Sequence, residues 1–215
     1  MDRKFDYTQK MLLAVEIADA PRRLEGMPAT YARFKRLSIP DVLLLQPVKH
    51  SDSRGFFSQT YSRRDVVEIG IDVDFIQDNH SMSQSKGVVR GLHFQIPPAA
   101  QDKLVRVSRG AIFDVAVDLR RGSANFGKSV SAILSAENWK QLFVPKGFAH
   151  GFCVLEPGTE VIYKVSDYYA PECERGLLWN DSATGILWPV PQDEAILSER
   201  DRKWPTLAEI PPYFD

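Results

Sequence analysis

The 215-residue chain has little of what staples, anchors or extends a protein. It has only two cysteines, Cys153 and Cys173, too few for a disulfide framework, so a reducing cytoplasm suits it. No apolar run approaches the roughly 20 residues needed to cross a bilayer. The charged start Met1-Asp2-Arg3-Lys4 and the short apolar stretch at 11–15 do not have the pattern of a secretory leader. Neither charge sign is in excess: 27 Lys+Arg stand against 28 Asp+Glu, a net charge of -1. That balance argues against a dedicated nucleic-acid binder, while leaving room for a local basic pocket. Internal repeats and low-complexity tracts are absent, which removes collagen-like chains and wholesale disorder.

What remains is an ordinary globular composition, 44% apolar and 26% charged. At about 150 residues per domain this is one ample domain or one domain with an appendage, long enough to bury a core unaided. Residues 1–36 read as an N-terminal extension in which 14–20 forms a short amphipathic helix or a loose arm. From Leu37 the pattern turns to β, and 37–215 reads as one domain. Val42 to Leu45 looks like a first strand, closed by a polar turn from His50 to Gly55. The clearest period lies at 111–119, with Phe113, Val115, Val117 and Leu119 on one face and Ile112, Asp114, Ala116 and Asp118 on the other. A strand at 103–108 precedes it, with Arg109-Gly110 read as the hairpin turn between them. Strands at 129–135, 141–145, 148–155 and 160–165 follow, punctuated by Gly and Pro. Helix is expected only at 64–69 and in the C-terminal tail. Many short strands at close spacing predict an all-β antiparallel barrel or sandwich with a few short peripheral helices.

Four histidines are present, and for any one of them a structural or surface role is the plain reading. Alternation places Gly91, His93 and Gln95 on one strand face, where the glycine leaves room for a molecule to approach the imidazole. His150 ends a Pro-x-Gly-x-x-His run, the second half of a cupin metal motif. The first half should supply His-x-His and a glutamate, yet here His93 is followed by Gln95. A divalent metal wants three or four suitable ligands, so no metal site is assigned. Lys103 and Tyr163 sit on strands, where a solvated cation and a core phenol are the bland alternatives. Asp201 reads as a surface helix start.

Together, in order, the motifs Asp52-Ser-Arg-Gly-Phe-Phe57, Gln77-Asp-Asn-His-Ser81, Gly87-Val-Val-Arg-Gly-Leu-His-Phe-Gln95, Phe113-Asp-Val-Ala-Val-Asp118, Pro145-Lys-Gly-Phe-Ala-His-Gly-Phe152, Tyr163-Lys164 and Leu178-Trp-Asn-Asp181 resemble the dTDP-4-dehydrorhamnose 3,5-epimerase family. The resemblance runs from about Leu37 to Asp201. It implies a cupin-type barrel or jelly roll, usually homodimeric, using no metal or organic cofactor. The implied partner is a small nucleotide-linked 4-keto-6-deoxy sugar, with no nucleic acid or membrane involved. The implied reaction inverts carbons 3 and 5, both α to the C4 ketone, through an enolate. By position, His93 is the base, Asp201 its orienting carboxylate, Tyr163 the proton donor on the opposite face, and Lys103 the cation at the C4 oxygen. Arg54, Gln59, Gln77, Asp78, Asn79, Arg90, His150 and Glu174 are the substrate-contact positions, and Tyr168 or Tyr169 offers a ring for base stacking.

Two positions depart from the family pattern. Gln59 stands where a glutamate is usual, and Arg200 where lysine is common. A single-site 3- or 5-epimerase is the nearest rival, since the same residues serve it. A metal-dependent cupin enzyme and a non-catalytic sugar-nucleotide binding module are more distant rivals.

Overall fold

The computed structural model describes residues 30–215. The helix or arm expected at 14–20 lies outside them. Within them run β1 (Tyr31–Arg36), β2 (Leu43–Pro47), β3 (His50–Asp52), β4 (Gly55–Phe57), the helix α1 (Arg63–Glu68), β5 (Gln77–Ser83), β6 (Val89–Gln95) and β7 (Lys103–Arg109). Then come β8 (Ala111–Asp118), β9 (Ser129–Ser135), β10 (Gln141–Val144), β11 (Phe148–Val154), β12 (Thr159–Val165) and β13 (Glu174–Gly176). Two sheets face each other, one ordered β1-β2-β10-β7-β12-β5 and the other β13-β6-β11-β8-β9. Every ladder between these strands is antiparallel, and β3-β4 forms a separate hairpin. The expected all-β, antiparallel architecture is the one the chain adopts.

Alternation in the sequence becomes two cores rather than one wet and one dry face. On β8, Ile112 and Ala116 join Val105, Val107, Leu142, Phe152 and Val161 between the sheets. Phe113, Val115, Val117 and the following Leu119 pack on the other side, under a blanket of C-terminal residues that includes Leu177, Trp179, Leu207 and Ile210. A third cluster lies outside the six-stranded sheet, where α1 lays Val66 and the following Ile69 and Ile71 over Leu43, Leu45, Leu104 and Phe143. Ser62 caps α1 by accepting from the Asp65 amide at 3.4 Å, which meets an orphan donor of the first turn.

Four expectations need correction. The sheet begins at Tyr31 rather than after Leu37, because Phe34, Lys35 and Arg36 pair with Leu45, Leu44 and Leu43. As an edge strand with an exposed face, β1 carries the charges that conceal a strand pattern. Second, Arg109-Gly110 is no hairpin turn. β7 already pairs with β10 and β12, and β8 with β11 and β9, so the chain crosses there from one sheet to the other. Third, the tail forms turns and a short 3-10 segment (Ser182–Thr184) instead of an α-helix. Pro189, Pro191, Pro205, Pro211 and Pro212 withhold the N–H groups that a helix would need. Fourth, Asp201 is no surface residue: it is only 4% exposed and lies in a turn.

Candidate active site

Pairing register decides which side chains enter the space between the sheets, because directly opposed residues share a face. From the six-stranded sheet, Lys103 of β7 stands opposite Val165 and Val144, and Tyr163 of β12 opposite Asn79 and Val105. Val105, Val144 and Val165 are buried there, so Lys103, Tyr163, Asn79 and Gln77 look inward with them. From the five-stranded sheet, His93 stands opposite His150, Asp114 opposite Phe152, and Glu174 opposite Gln95.

Arg90 joins this face through an irregularity. Arg90 and His93 are three apart, which regular alternation would put on opposite faces, yet they oppose Phe152 and His150, which are two apart. The extra residue falls at Gly91 and Leu92, a bulge that turns both side chains inward. Only glycine fits at Gly91: its φ is +121°, and a Cβ there would lie 2.7 Å from the Gly151 Cα and 2.8 Å from the His150 carbonyl oxygen. Gly91 therefore marks the bulge rather than a space above the His93 ring.

His93 Nε2 lies 2.6 Å from Asp201 Oδ1. An ionised carboxylate only accepts, so Nε2 carries the proton and Nδ1 keeps the lone pair. Asp201 also accepts from the Trp204 indole N–H at 3.3 Å and, at the limit of bonding, from the Gly91 amide at 3.5 Å. Burial alone would raise the Asp201 carboxyl; the bonds from His93, Gly91 and Trp204 outweigh it and hold the group below the usual range. Trp204 meets the His93 ring edge-on at 6.2 Å and covers Gly176, where any Cβ would strike the indole. The ring of His93 stays 27% exposed toward the space between the sheets.

Lys103 is buried, and its ammonium donates to the His93 carbonyl at 3.3 Å, which ties the two sheets together beside the His93 ring. Burial pulls its pKa down to about 8, against the upward pull of Asp114 and Glu174. Burial raises the Tyr163 phenol, opposed by Arg90 and helped by Glu174. Both of those residues belong to the wall opposite Tyr163, so the phenol and the His93 wall share one electrostatic space. His150 Nε2 lies 2.7 Å from Asp114 Oδ1; Asp114 is fully buried and His150 keeps 7% exposure.

The mouth is framed by polar side chains. Glu174 receives two bonds from Arg200, at 2.7 and 2.9 Å, and one from the Tyr169 hydroxyl at 2.9 Å. Gln77 bonds Asn79 at 3.0 Å and accepts from the Tyr169 amide at 3.2 Å. Arg90 donates to Ser83 Oγ and to the Met82 carbonyl, each at 3.1 Å. Gln95, at the place of a second metal histidine, is committed elsewhere. Its amide donates to the Ala99 and Tyr168 carbonyls and accepts from the Ala170 amide, tethering that loop.

Thus His93, Asp201, Lys103, Tyr163, Arg90, His150, Glu174, Gln77 and Asn79 gather around one space. Asp78 does not join them. It opposes Lys164 on the outer face of β5 and β12 and pairs with its ammonium at 2.9 Å. Arg54 is set apart as well, highly exposed on the β3-β4 hairpin and bonded to Asp52 at 2.6 Å. Gln59, just beyond that hairpin, is exposed. Sequence reasoning gave Asp114 no role, although an acid inside the apolar strand 111–119 demands a buried partner. Trp204 carried no comparable signal, since only the folded tail sets it against His93.

Comparison with known proteins points the same way. The sequence model of the family described as dTDP-4-dehydrorhamnose 3,5-epimerase matches residues 36–209. A protein of that name from Pseudomonas aeruginosa is 53% identical over 175 residues, 81% of this chain and 95% of its own. Another from Sinorhizobium fredii is 51% identical over 181 residues, 84% of this chain and 92% of its own. Among solved structures, dTDP-6-deoxy-D-glucose-3,5-epimerase from Legionella pneumophila, in complex with dTDP-4-keto-L-rhamnose, superposes with a TM-score of 0.79 at 42% identity, covering 83% of this chain and 94% of its own.

Proposed function

Because the chain belongs to the dTDP-4-dehydrorhamnose 3,5-epimerase family, we propose that it is an isomerase that inverts carbons 3 and 5 of dTDP-4-dehydro-6-deoxy-D-glucose. The observation that carries the mechanism is the placement of His93 on one sheet, with Tyr163 and Lys103 on the other, all facing the same interior. An enolisable sugar ring held between two walls can lose a proton to one side and gain one from the other.

His93 Nδ1 takes the proton from the carbon α to the ketone, and the Asp201 carboxylate stabilises the imidazolium that forms. The electron pair moves into the C3–C4 or C4–C5 bond and onto the C4 oxygen, where the Lys103 ammonium bonds the enolate. Tyr163 returns a proton to the opposite face as the carbonyl re-forms. Its raised pKa keeps the phenol protonated near neutrality. Solvent then removes the proton from His93 and restores the one lost by Tyr163. Arg90 is assigned to the diphosphate, which a planar guanidinium bonds in pairs. Gln77, Asn79, His150 and Glu174 complete the substrate contacts.

The same reading includes a homodimer and a cytoplasmic setting. Phe56 and Phe57 are exposed on the hairpin that carries Arg54, and Ile76 and Met82 are exposed along the open edge at β5. A second copy covers this apolar surface and receives Arg54 and Gln59 in its own site, which reconciles their distance from the home cavity with their position in the family motif. The two unpaired, buried cysteines suit a reducing compartment. The catalytic unit in this reading starts with β1.

Incubation with dTDP-4-dehydro-6-deoxy-D-glucose in heavy water tests the chemistry. Wild type places deuterium at carbons 3 and 5, read by NMR. His93→Ala lowers exchange by about 10⁴-fold, whereas Tyr163→Phe still loses protons but inverts poorly. Full exchange in His93→Ala refutes the base assignment. For the dimer, light scattering gives the mass, and mixing inactive Arg54→Ala with inactive His93→Ala restores about a quarter of the sites when subunits exchange freely. No recovery on mixing places Arg54 in its own chain's chemistry.

A further inference from the structure

Asp114 lies at the centre of β8, fully buried, with both neighbouring strands paired to it. A carboxylate so placed is costly unless its oxygens are met. His150 meets Oδ1 at 2.7 Å, but Oδ2 has no hydrogen-bond partner among the described residues. Orienting a histidine needs one oxygen, and an asparagine carbonyl would supply it. The second oxygen, and the charge, ask for another explanation.

The structure supplies a buried cation nearby. Lys103 projects from the facing sheet, and its ammonium donates to the His93 carbonyl at 3.3 Å, its one hydrogen bond among the described residues. That carbonyl belongs to the residue directly opposite His150, the partner of Asp114. The ionisable groups around Lys103 come from every wall: His93 and Arg90 on β6, His150 on β11, Asp114 on β8, Glu174 on β13 and Tyr163 on β12. Of these, Glu174 is already matched by the bidentate Arg200, whereas Asp114 keeps one oxygen without a hydrogen bond among the described residues.

We propose that Asp114 is a positioning residue of the active site: His150 anchors one of its oxygens, and the negative charge left on the other acts across the space between the sheets to keep the buried Lys103 ammonium protonated for the substrate's C4 oxygen. This rests on the proposed epimerase reading for the role of Lys103, but the electrostatic pull of Asp114 on Lys103 does not. Burial brings the Lys103 pKa to about 8, and Asp114 leads the attractions that stop it falling further. Without that charge the lysine would be partly neutral at the pH of the reaction, and a neutral amine stabilises an enolate poorly. In this arrangement His150 serves the carboxylate, and the carboxylate serves the lysine.

Full-length protein labelled with ¹³C at the lysine Cε carbons allows Lys103 to be titrated without substrate, its resonance identified by loss in Lys103→Met. The midpoint is expected near 8 in wild type, about one pH unit lower in Asp114→Asn, and unchanged in His150→Gln, which keeps the charge. The alkaline limb of kcat/KM moves with the midpoint. If Asp114→Asn does not fold, the double variant Asp114→Asn/His150→Gln replaces the pair by two amides able to bond each other, and the same fall is expected. An unmoved midpoint in the folded Asn variant overturns the proposal, as does an equal fall in His150→Gln. Failure of the epimerase reading would instead appear as absent turnover with the titrations unaffected.

Discussion

Two histidine–carboxylate pairs stand side by side on the five-stranded sheet, and their differences assign their work. His93 and His150 face each other across β6 and β11, and each ring bonds its carboxylate through Nε2, at 2.6 and 2.7 Å. The Asp201 carboxylate comes from the C-terminal tail and is shared with an indole and a backbone amide, leaving the imidazole open to the interior. The Asp114 carboxylate comes from the neighbouring strand and is fully buried, and the His150 side chain is only 8% exposed. A base must reach its substrate, exchange its proton with solvent and keep one tautomer. Only the first pair meets all three needs. The second provides fixed charge inside the wall, where a low dielectric lets it act on Lys103 more strongly than it would in water.

This contrast can be broken from either side. Asp201→Asn leaves a bond to His93 but removes the negative charge and the tautomer preference, so kcat should fall about 10³-fold with KM little changed. His150→Gln should cost about tenfold. Equal losses in the two variants would erase the distinction between base and support. A second break comes from the pH profile. In the proposed mechanism Lys103 acts as an ammonium, so kcat/KM should fall as pH rises through about 8, and Lys103→Met should lose that limb together with about 10²–10³-fold of the rate. A limb that persists in Lys103→Met would assign it to another group. The smallest effect concerns stability. The Asp201 carboxyl is held below its ordinary value, so it contributes stability present above about pH 4 and lost as pH falls through the folded value. Thermal melts of Asp201→Asn should therefore lose less stability than wild type on acidification below pH 4, and an identical acid slope would contradict the stated balance of forces.

Much of the fold was legible because strand alternation is a local signal. The strands from Lys103 to Val165 were read close to their observed limits, with Gly110, Gly147 and Pro157-Gly158 marking the breaks. Pairing was less legible: Arg109-Gly110 has the composition of a hairpin turn, yet β7 and β8 each have both edges occupied by other strands. The site divides in the same way. The order of motifs pointed to His93, Lys103 and Tyr163, and strand register then brought them to one interior. Asp78 parts from its neighbours Gln77 and Asn79, which look inward, because a strand turns every second residue outward. Asp114 was in plain view on a strand face, but a buried acid shows its purpose only when its partners are known.

The sequence by itself determined the kind of structure, two-residue periodicity cut into short strands, and the chemical groups available to work inside it. Tertiary structure alone decided which of those groups meet. Asp201 reaches His93 across 108 positions of chain, and Lys103 approaches the same residue from the facing sheet. The reason is physical: periodicity is written between neighbours along the chain, whereas a hydrogen bond or a buried charge pair depends on distance in space, which exists only once both sheets have closed over their common core.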